Sequence, residues 1–351
     1  MEKFFDTDEK YMRRCIELAS KAEGFTYPNP MVGAVIVHDG KIIGEGFHLK
    51  AGGPHAEVNA INSVTDVSLL KDSTIYVSLE PCSHYGKTPP CADLLIEKKI
   101  PRVVVGTTDT NGKVFGKGIK KLMDAGVDVK VGVLEDECRW INRRFFTFQE
   151  KKRPYVILKW AESSDGFIDI DKEASDGRGS YWISGDTEKV LVHKWRATEQ
   201  AILVGGKTLR VDNPRLDVRC WEGKNPLRLV LSGSGNIPKE ASVFSTEGET
   251  VVFTYNNEIS FDNATTVVMR NDQSPANQIL EYLYERNIQS LIVEGGAETH
   301  NLFVESGLWD EARIFRGNVV FDKGVKAPIL KGKTIEEIQF NKTVLRIIES
   351  E

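Results

Sequence analysis

Apolar positions along the chain fall into two successive runs of alternating helix and strand signals. From Glu9 to Ala22 the residues Tyr11, Met12, Cys15, Ile16, Leu18 and Ala19 share one helical stripe. Tyr27-Pro28-Asn29-Pro30 breaks it. Val32 to His38 then predicts a strand, Asp39-Gly40 a turn, and a second strand continues through Phe47. The run Val58, Ala60, Ile61 predicts a helix that His55-Ala56-Glu57 opens. Ser73 to Leu79 is rich in β-branched residues and alternates, as a strand does. A helix over Pro90–Lys99, a strand over Ile100–Thr107, a helix over Lys117–Ala125 and a strand over Val127–Val133 complete the first half.

Between Arg143 and Pro154 the composition passes from aromatic to charged and stops at a proline. This predicts a joint between two domains, residues 1–147 and 148–351. After it the pattern restarts with the apolar run Tyr155 to Lys159, suited to a buried strand. Asp169 to Ser180 is polar and predicts a loop. Glu188–Thr198 and Gln278–Arg286 predict helices. Strands are expected at Ala201–Val204, Leu227–Leu231, Thr250–Thr254, Thr266–Met269 and Ser290–Val293. Such alternation marks an α/β fold with a mostly parallel sheet and helices on both faces. No internal repeat or low-complexity segment interrupts it.

Composition narrows the function. At 351 residues the chain is comfortable for two domains, and its hydrophobic and charged fractions are those of a soluble globular protein. A net charge of −5 argues against nucleic-acid binding, which needs a basic field. Five cysteines at irregular spacing do not form a disulfide framework, so a reducing cytoplasm is expected. The N-terminus has no signal-like apolar core and no run approaches a membrane span, so no membrane partner is expected.

The chemistry concentrates between Pro54 and Cys91. His55, Cys82 and Cys91 offer one imidazole and two thiolates, three ligands for a single zinc ion with a fourth position open for water. Zinc so held lowers the pKa of its water and supplies hydroxide at pH 7. Glu57, two residues after the histidine, is placed to shuttle protons without binding the metal. The pattern follows H-x-E…P-C-x-x-C, the signature of zinc nucleobase deaminases, but eight residues separate Cys82 from Cys91 instead of two. Each of these residues alone is more often structural, as a lone cysteine is usually a small buried hydrophobe. All of them in order, behind a strand and at the first turn of a helix, point to a catalytic zinc. His84, inside the loop, is better suited to touching substrate or capping the loop.

In the second half, two strands run into paired glycines, Val204 into Gly205-Gly206 and Glu294 into Gly295-Gly296, each before a helical segment. Glycine there lets a phosphate reach the backbone, and the helix N-terminus supplies N–H donors. A Gly-Gly after a strand is often just a tight turn. Two of them in one domain point to a nucleotide. The G-x-G-x-x-G dinucleotide fingerprint is absent.

With both halves placed, the chain resembles the bifunctional riboflavin-biosynthesis deaminase/reductase family over nearly its whole length. Pro28-Asn29-Pro30-Met31-Val32-Gly33, His55-Ala56-Glu57-Val58 and the loop Pro81–Cys91, with its wide cysteine spacing, carry the first half of the resemblance. Leu158-Lys159, Ser164-Asp165-Gly166, Trp182-Ile183-Ser184, Arg196-Ala197, Thr208, Asp212-Asn213-Pro214 and Val293-Glu294-Gly295-Gly296 carry the second. The resemblance implies a cytidine-deaminase-like α/β/α layered domain followed by a dihydrofolate-reductase-like α/β domain. It implies two steps: hydrolytic deamination of a diaminopyrimidinone bearing ribose 5-phosphate, then NADPH-dependent reduction of the ribosyl group to ribityl. His55, Cys82 and Cys91 would bind zinc, with Glu57 as proton shuttle. Asn29, His48 and Lys87 would touch the pyrimidine or its phosphate. NADPH contacts are implied at Ala161, Trp182, Thr208, Asp212, Gly295, Gly296, Ala297, Glu298 and Thr299. Substrate contacts are implied at Lys159, Ser180, Arg196, Leu216, Arg219 and Glu294, the two arginines matching phosphate with their guanidinium forks.

The chain departs from the family pattern over Asp171–Gly179, at Ser232-Gly233 and over Arg313–Asn318. A competing reading, a zinc nucleobase or tRNA deaminase with a non-catalytic nucleotide-binding C-terminal domain, has the acidic charge and the wide cysteine spacing against it. The expected partner is a small phosphorylated pyrimidine, in a homo-oligomer.

Overall fold

The computed structural model describes residues 7–83, 89–110, 116–170, 183 and 185–351. The chain divides into two compact units, Met1–Lys152 and Arg153–Glu351. In the first, α1 (Thr7–Ser20) precedes the hairpin β1 (Gly33–His38) and β2 (Lys41–Phe47), then come α2 (Ala56–Asn62) and β3 (Thr74–Leu79). The elements α3 (Cys91–Glu97), β4 (Arg102–Thr107), α4 (Lys117–Asp124) and β5 (Asp128–Val131) follow, and α5 (Glu135–Ile141) and α6 (Arg143–Lys151) close the unit. The described residues form a five-stranded sheet in the order β2-β1-β3-β4-β5. Strands β1 and β2 pair antiparallel, as do β1 and β3, while β3, β4 and β5 run parallel.

The central strands are buried on both faces, which explains their near-continuous apolar sequence. Ala34, Ile36, Ile75, Val77, Val103 and Val105 point to one side, where they pack on Ala60, Leu95 and Leu122 of α2, α3 and α4. Their alternate neighbours Val35, Val37, Tyr76 and Val104 pack on Met12, Cys15 and Cys138 of α1 and α5. The unit is therefore an α/β/α sandwich. Each fully buried Leu or Ile in it contributes roughly 2 kcal/mol of transfer free energy.

The expected boundary after Thr147 falls inside α6, and the units divide after Lys152. Phe145, Phe146 and Phe148, whose run suggested a joint, are buried in that helix together with Arg144 and Thr147. Lys152, in a left-handed conformation, ends it.

The second unit begins with β6 (Tyr155–Glu162), β7 (Phe167–Ile170), α7 (Asp186–Thr198), β8 (Ala201–Gly205), α8 (Gly206–Asp212) and β9 (Leu227–Leu231). It continues through α9 (Ser242–Ser245), β10 (Thr250–Thr254), β11 (Thr265–Val268), α10 (Pro275–Glu285), β12 (Ser290–Val293) and α11 (Ala297–Glu305). The last elements are β13 (Glu311–Gly317), β14 (Gly324–Lys326), β15 (Gly332–Gln339) and β16 (Thr343–Ser350). The described residues form a nine-stranded sheet in the order β11-β10-β9-β8-β12-β6-β13-β16-β15. It is parallel from β11 to β13, as the alternation predicts, and antiparallel from β13 to β15. Helices α10 and α11 cover one face through Ile279, Leu283 and Phe303; α8 and α9 cover the other through Leu209, Val243 and Phe244.

Part of the predicted loop Asp169–Ser180 is strand. Phe167–Ile170 pairs antiparallel with Gly324–Lys326, a partner so distant in sequence that no local hairpin signal marks it. The remainder, 171–180, lies outside the described residues.

Candidate active sites

Three elements of the first unit bring the proposed zinc ligands together. His55 is the N-cap of α2, Cys82 follows β3 by three residues, and Cys91 is the first residue of α3. His55 Nδ1 lies 3.5 Å from Cys82 Sγ and 3.3 Å from Cys91 Sγ. All three donor atoms lie within 4.8 Å of one another. The Cys91 backbone N–H donates to Cys82 Sγ at 3.3 Å, which favours a thiolate there.

The electrostatics fit a dication. The hydrogen bond from Cys91 and the nearby His55 hold the Cys82 thiol down at about 4 against the effect of burial. Cys91 is pushed up, because a second thiolate would sit beside the first in a buried place. Glu57, in the first turn of α2, is buried. Burial, and then the charge on Cys82, push its carboxyl up to about 7. A carboxyl that titrates near neutrality both takes and gives protons at pH 7.

His48 and Asn29 join this cluster. The His48 ring meets that of His55 edge-on with centroids 5.5 Å apart. Its Nδ1 lies 3.0 Å from the Pro54 carbonyl and its Nε2 3.1 Å from Asn29 Nδ2. A neutral ring that donates from Nδ1 and accepts at Nε2 satisfies both. Burial holds its pKa down, in keeping with a neutral ring. With 3% of its surface exposed, His48 works as a support for Asn29. Lys87 and His84 lie outside the described residues.

In the second unit two adjoining features form at the C-terminal ends of parallel strands. The first is a cleft of about 850 Å³ lined by Thr208, Asp212, Gly296, Ala297, Glu298 and Thr299 among others. The two glycine junctions face each other there: a Cβ on Gly205 would sit 2.5 Å from Thr299 Oγ1, and one on Gly206 2.8 Å from Ser232 Oγ. Gly296 has φ +55°, which favours glycine, and it precedes α11. Gly295 is buried behind the cleft against Val204. Ala161 lies on β6 beside the Phe315 and Leu345 cluster, and Trp182 is outside the described residues.

The second feature is a charged cluster. Arg196 on α7 makes a bidentate pair with Glu294, Nη2 to Oε2 at 2.7 Å and Nε to Oε1 at 3.1 Å. Burial pushes the Glu294 carboxyl up, but Arg196 and Lys159 outweigh it and hold the pKa at about 2. Burial lowers the pKa of Lys159 on β6, which Glu294 partly restores. Arg196 is thus committed to Glu294, whereas the sequence suggested a phosphate contact. The more exposed guanidinium is that of Arg219, which bonds Asp217 together with Arg215. Leu216 is buried. Ser180 is outside the described residues.

Comparison with known proteins agrees with this geometry. Residues 154–344 match the model of the RibD C-terminal domain, and residues 5–107 that of the cytidine and deoxycytidylate deaminase zinc-binding region. The riboflavin biosynthesis protein RibD of Aquifex aeolicus is 40% identical over 95% of this chain and 93% of its own. The chain belongs to the RibD family. The Bacillus amyloliquefaciens RibD is 37% identical over 95% of this chain and 90% of its own. A Thermotoga maritima crystal structure, described as a diaminohydroxyphosphoribosylaminopyrimidine deaminase/5-amino-6-(5-phosphoribosylamino)uracil reductase, matches with TM-score 0.88 and 38% identity, covering 98% of this chain and 99% of that one. Acinetobacter baumannii RibD matches at TM-score 0.86 and 32% identity, with 98% of each chain covered. The protein is accordingly a bifunctional enzyme of riboflavin biosynthesis, with a zinc-dependent deaminase half and an NADPH-dependent reductase half. Among the described residues no helix is long and apolar enough to cross a membrane.

Three residues that support these sites gave no sequence signal. The buried Glu80 carboxylate accepts backbone N–H bonds from Asp109, Gly116, Gly118 and Ile119 at 3.0–3.4 Å, tying the segment before Cys82 to the start of α4. Asn142 grips the backbone of Met31. Asp217 gathers two arginines. Each partner is distant in sequence or invisible to spacing rules, apart from Arg215 and Arg219 flanking Asp217.

Proposed function

We propose that the first unit hydrolyses the amino group of a diaminopyrimidinone ribotide and that the second reduces the resulting ribosylamine to a ribityl chain. The observation that carries this is the convergence of His55, Cys82 and Cys91 around one point with the buried Glu57 close by in sequence. Zinc held by that trio supplies a water activated near neutral pH. Glu57, buried in the first turn of α2, would take a proton from that water and pass it to the ring nitrogen and the departing amine. Asn29, fixed by His48, orients the pyrimidine.

In the second unit Thr208, Asp212, Ala161 and residues 295–299 would hold NADPH, which would supply a hydride. Hydride supplied there would reduce C1′ of the ribosyl group as its bond to the ring oxygen breaks, and that oxygen would need a proton from this chain. Lys159 holds that proton: its ammonium is partly buried, and Glu294 faces it. Glu294 and Arg196 set the floor of the substrate site, while Arg219 reaches the phosphate. The enzyme works in the cytoplasm as a homo-oligomer; its five unpaired cysteines support that compartment.

A paired assay on zinc-loaded protein tests this reading. With the diaminopyrimidinone ribotide alone, ammonia is expected; NADPH added afterwards is expected to be consumed. Ammonia release with no NADPH consumption would remove the second step, and no ammonia would remove the substrate.

A further inference from the structure

His300 has both ring nitrogens against backbone carbonyls. It stands in α11 directly after the cleft-lining run Gly296–Thr299, and it is 1% exposed. Its Nδ1 lies 2.9 Å from the Gly296 carbonyl oxygen. Its Nε2 lies 3.1 Å from that of Val293 and 3.2 Å from that of Lys159. The ring also meets Trp160 edge-on with centroids 5.2 Å apart, which fixes its rotation. A neutral imidazole has one proton to give. The Gly296 oxygen already accepts the His300 backbone N–H at 3.2 Å, so the ring proton does more on Nε2, shared between the two strand carbonyls.

Those two carbonyls sit where the sheet splits. Strands β6 and β12 are neighbours, and their ladder ends at the pair Leu158 and Val293. Beyond it the chain turns toward β8, the Glu294 N–H donating to the Leu203 carbonyl at 2.8 Å. Lys159 keeps its pairing with Arg313 of β13 on its other side. Ligands of parallel α/β sheets bind in such openings beyond the C-terminal strand ends. Here the opening lies between Lys159 and Glu294, whose charges act on each other. His300 Nε2 takes the place of the ladder N–H that β12 no longer offers. An apolar side chain would pack on Trp160 without the cost of burying a polar ring. What the imidazole adds is a donor at the split.

We propose that His300 is a positioning residue for the reduction: by bridging the split ends of β6 and β12 it fixes Lys159 and Glu294 relative to the first turn of α11, which borders the cofactor. This rests on Lys159 being the proton donor and on the cleft being the cofactor site. Proton and hydride must reach the same ribosyl group, so their sources need a fixed separation. A misplacement of about 1 Å costs up to about 10²-fold in rate.

Single-turnover oxidation of enzyme-bound NADPH by already deaminated substrate, on the full chain, tests this. Its rate constant counts only sites that have folded and bound cofactor, so a loss of folded protein does not move it. His300→Gln keeps a donor at the reach of Nε2, and His300→Met has nearly the same shape without one. The rate constant is expected to fall about tenfold or more in His300→Met and to stay within roughly threefold of wild type in His300→Gln, with the Kd for NADPH within roughly threefold in both. A wild-type rate constant in His300→Met overturns the proposal. An equal fall in both variants overturns it too, since the donor would then be irrelevant. Should His300→Met bind no NADPH, His300→Phe replaces it in the same comparison. Lys159→Met in the same assay checks the underlying role: if it oxidises NADPH at the wild-type rate, Lys159 is not the proton donor and the proposal falls with that reading.

Discussion

Asn142 and Met31 are joined by two hydrogen bonds of 2.8 Å: the Met31 N–H donates to Asn142 Oδ1, and Asn142 Nδ2 donates to the Met31 carbonyl. A side-chain amide here does what a neighbouring strand does elsewhere, satisfying both polar groups of one backbone residue. The gripped residue lies two positions after Asn29, so the junction of α5 and α6 holds the loop that carries Asn29.

Replacing Asn142 with Ala leaves both Met31 groups without their partner and is expected to destabilise the unit by about 2–3 kcal/mol. Asn29 loses its setting, so KM for deamination is expected to rise about tenfold, while zinc content stays at one per chain. Asn142→Asp keeps the acceptor for the N–H but turns a carboxylate oxygen toward the carbonyl, so it is expected to fail in the same direction. Urea denaturation and ammonia-release kinetics measure the two effects. An unchanged KM in a destabilised Asn142→Ala protein would confine Asn142 to a structural role.

Glu57→Gln keeps size and burial but cannot carry a proton at neutral pH. Ammonia release is expected to fall by about 10²–10⁴, with zinc retained as measured by metal analysis. Removing the metal from the wild type with a chelator is expected to abolish deamination too. NADPH consumption with already deaminated substrate should then continue, because Lys159, Arg196 and Glu294 belong to the second unit. Loss of both activities on chelation would contradict the assignment of zinc to the first unit alone.

The elements legible in the sequence were those whose buried faces repeat at short period. Val103, Val104 and Val105 announce a strand, and Tyr11, Met12, Cys15 and Leu18 a helix. The zinc trio was legible because its ligands are rare residue types in a fixed order. Glu80 was not, since a carboxylate one residue before a proline looks like any surface acid until four backbone N–H groups are seen around it. Arg196 pairs with Glu294, and composition does not tell whether a guanidinium faces a ligand phosphate or a carboxylate of the same chain. Helix α6 was missed because three phenylalanines with charged neighbours also fit the end of a domain.

His193 gives the second unit a pH window. Burial, then the Arg196 and Arg219 charges, hold its pKa at about 4, and Asp217 and Glu294 offset them only in part. The Arg219 N–H donates to its Nδ1 at 3.3 Å, a bond that needs this nitrogen unprotonated. Between pH 6.5 and 4 the unfolded chain binds a proton that the folded one refuses, so stability falls as pH falls through that range and is unaffected above it. About 2 kcal/mol is expected to be lost by pH 5. Glu294 acts in the same direction only below about pH 4.5, its unfolded value, but burial also holds down the pKa of His300 in this unit, so the comparison of pH 7 with pH 5 is read against a His193 variant. Urea midpoints followed by tryptophan fluorescence suit this, since Trp140 is the one tryptophan of six outside the second unit. His193→Gln is expected to flatten the difference, and an equal pH 5 loss in that variant would assign it to another group.

The Arg196 and Glu294 pair tests whether the reductase site is built for stability or for chemistry. Their side chains are 11% and 8% exposed, so each removes the other from the cost of being buried and charged. Arg196→Met leaves Glu294 with Lys159 as its nearby cation and is expected to destabilise the unit by about 3–5 kcal/mol. The double variant Arg196→Met, Glu294→Gln no longer buries an unbalanced carboxylate and is expected to recover most of that loss. Reduction should stay absent in the double variant, because Lys159 has lost the carboxylate that supports its charge and the substrate has lost both contacts. A double-mutant cycle with urea midpoints alongside NADPH consumption reads both quantities from the same proteins. Recovery of stability without recovery of turnover identifies the pair as kept for the reaction, and recovery of both would reduce it to packing.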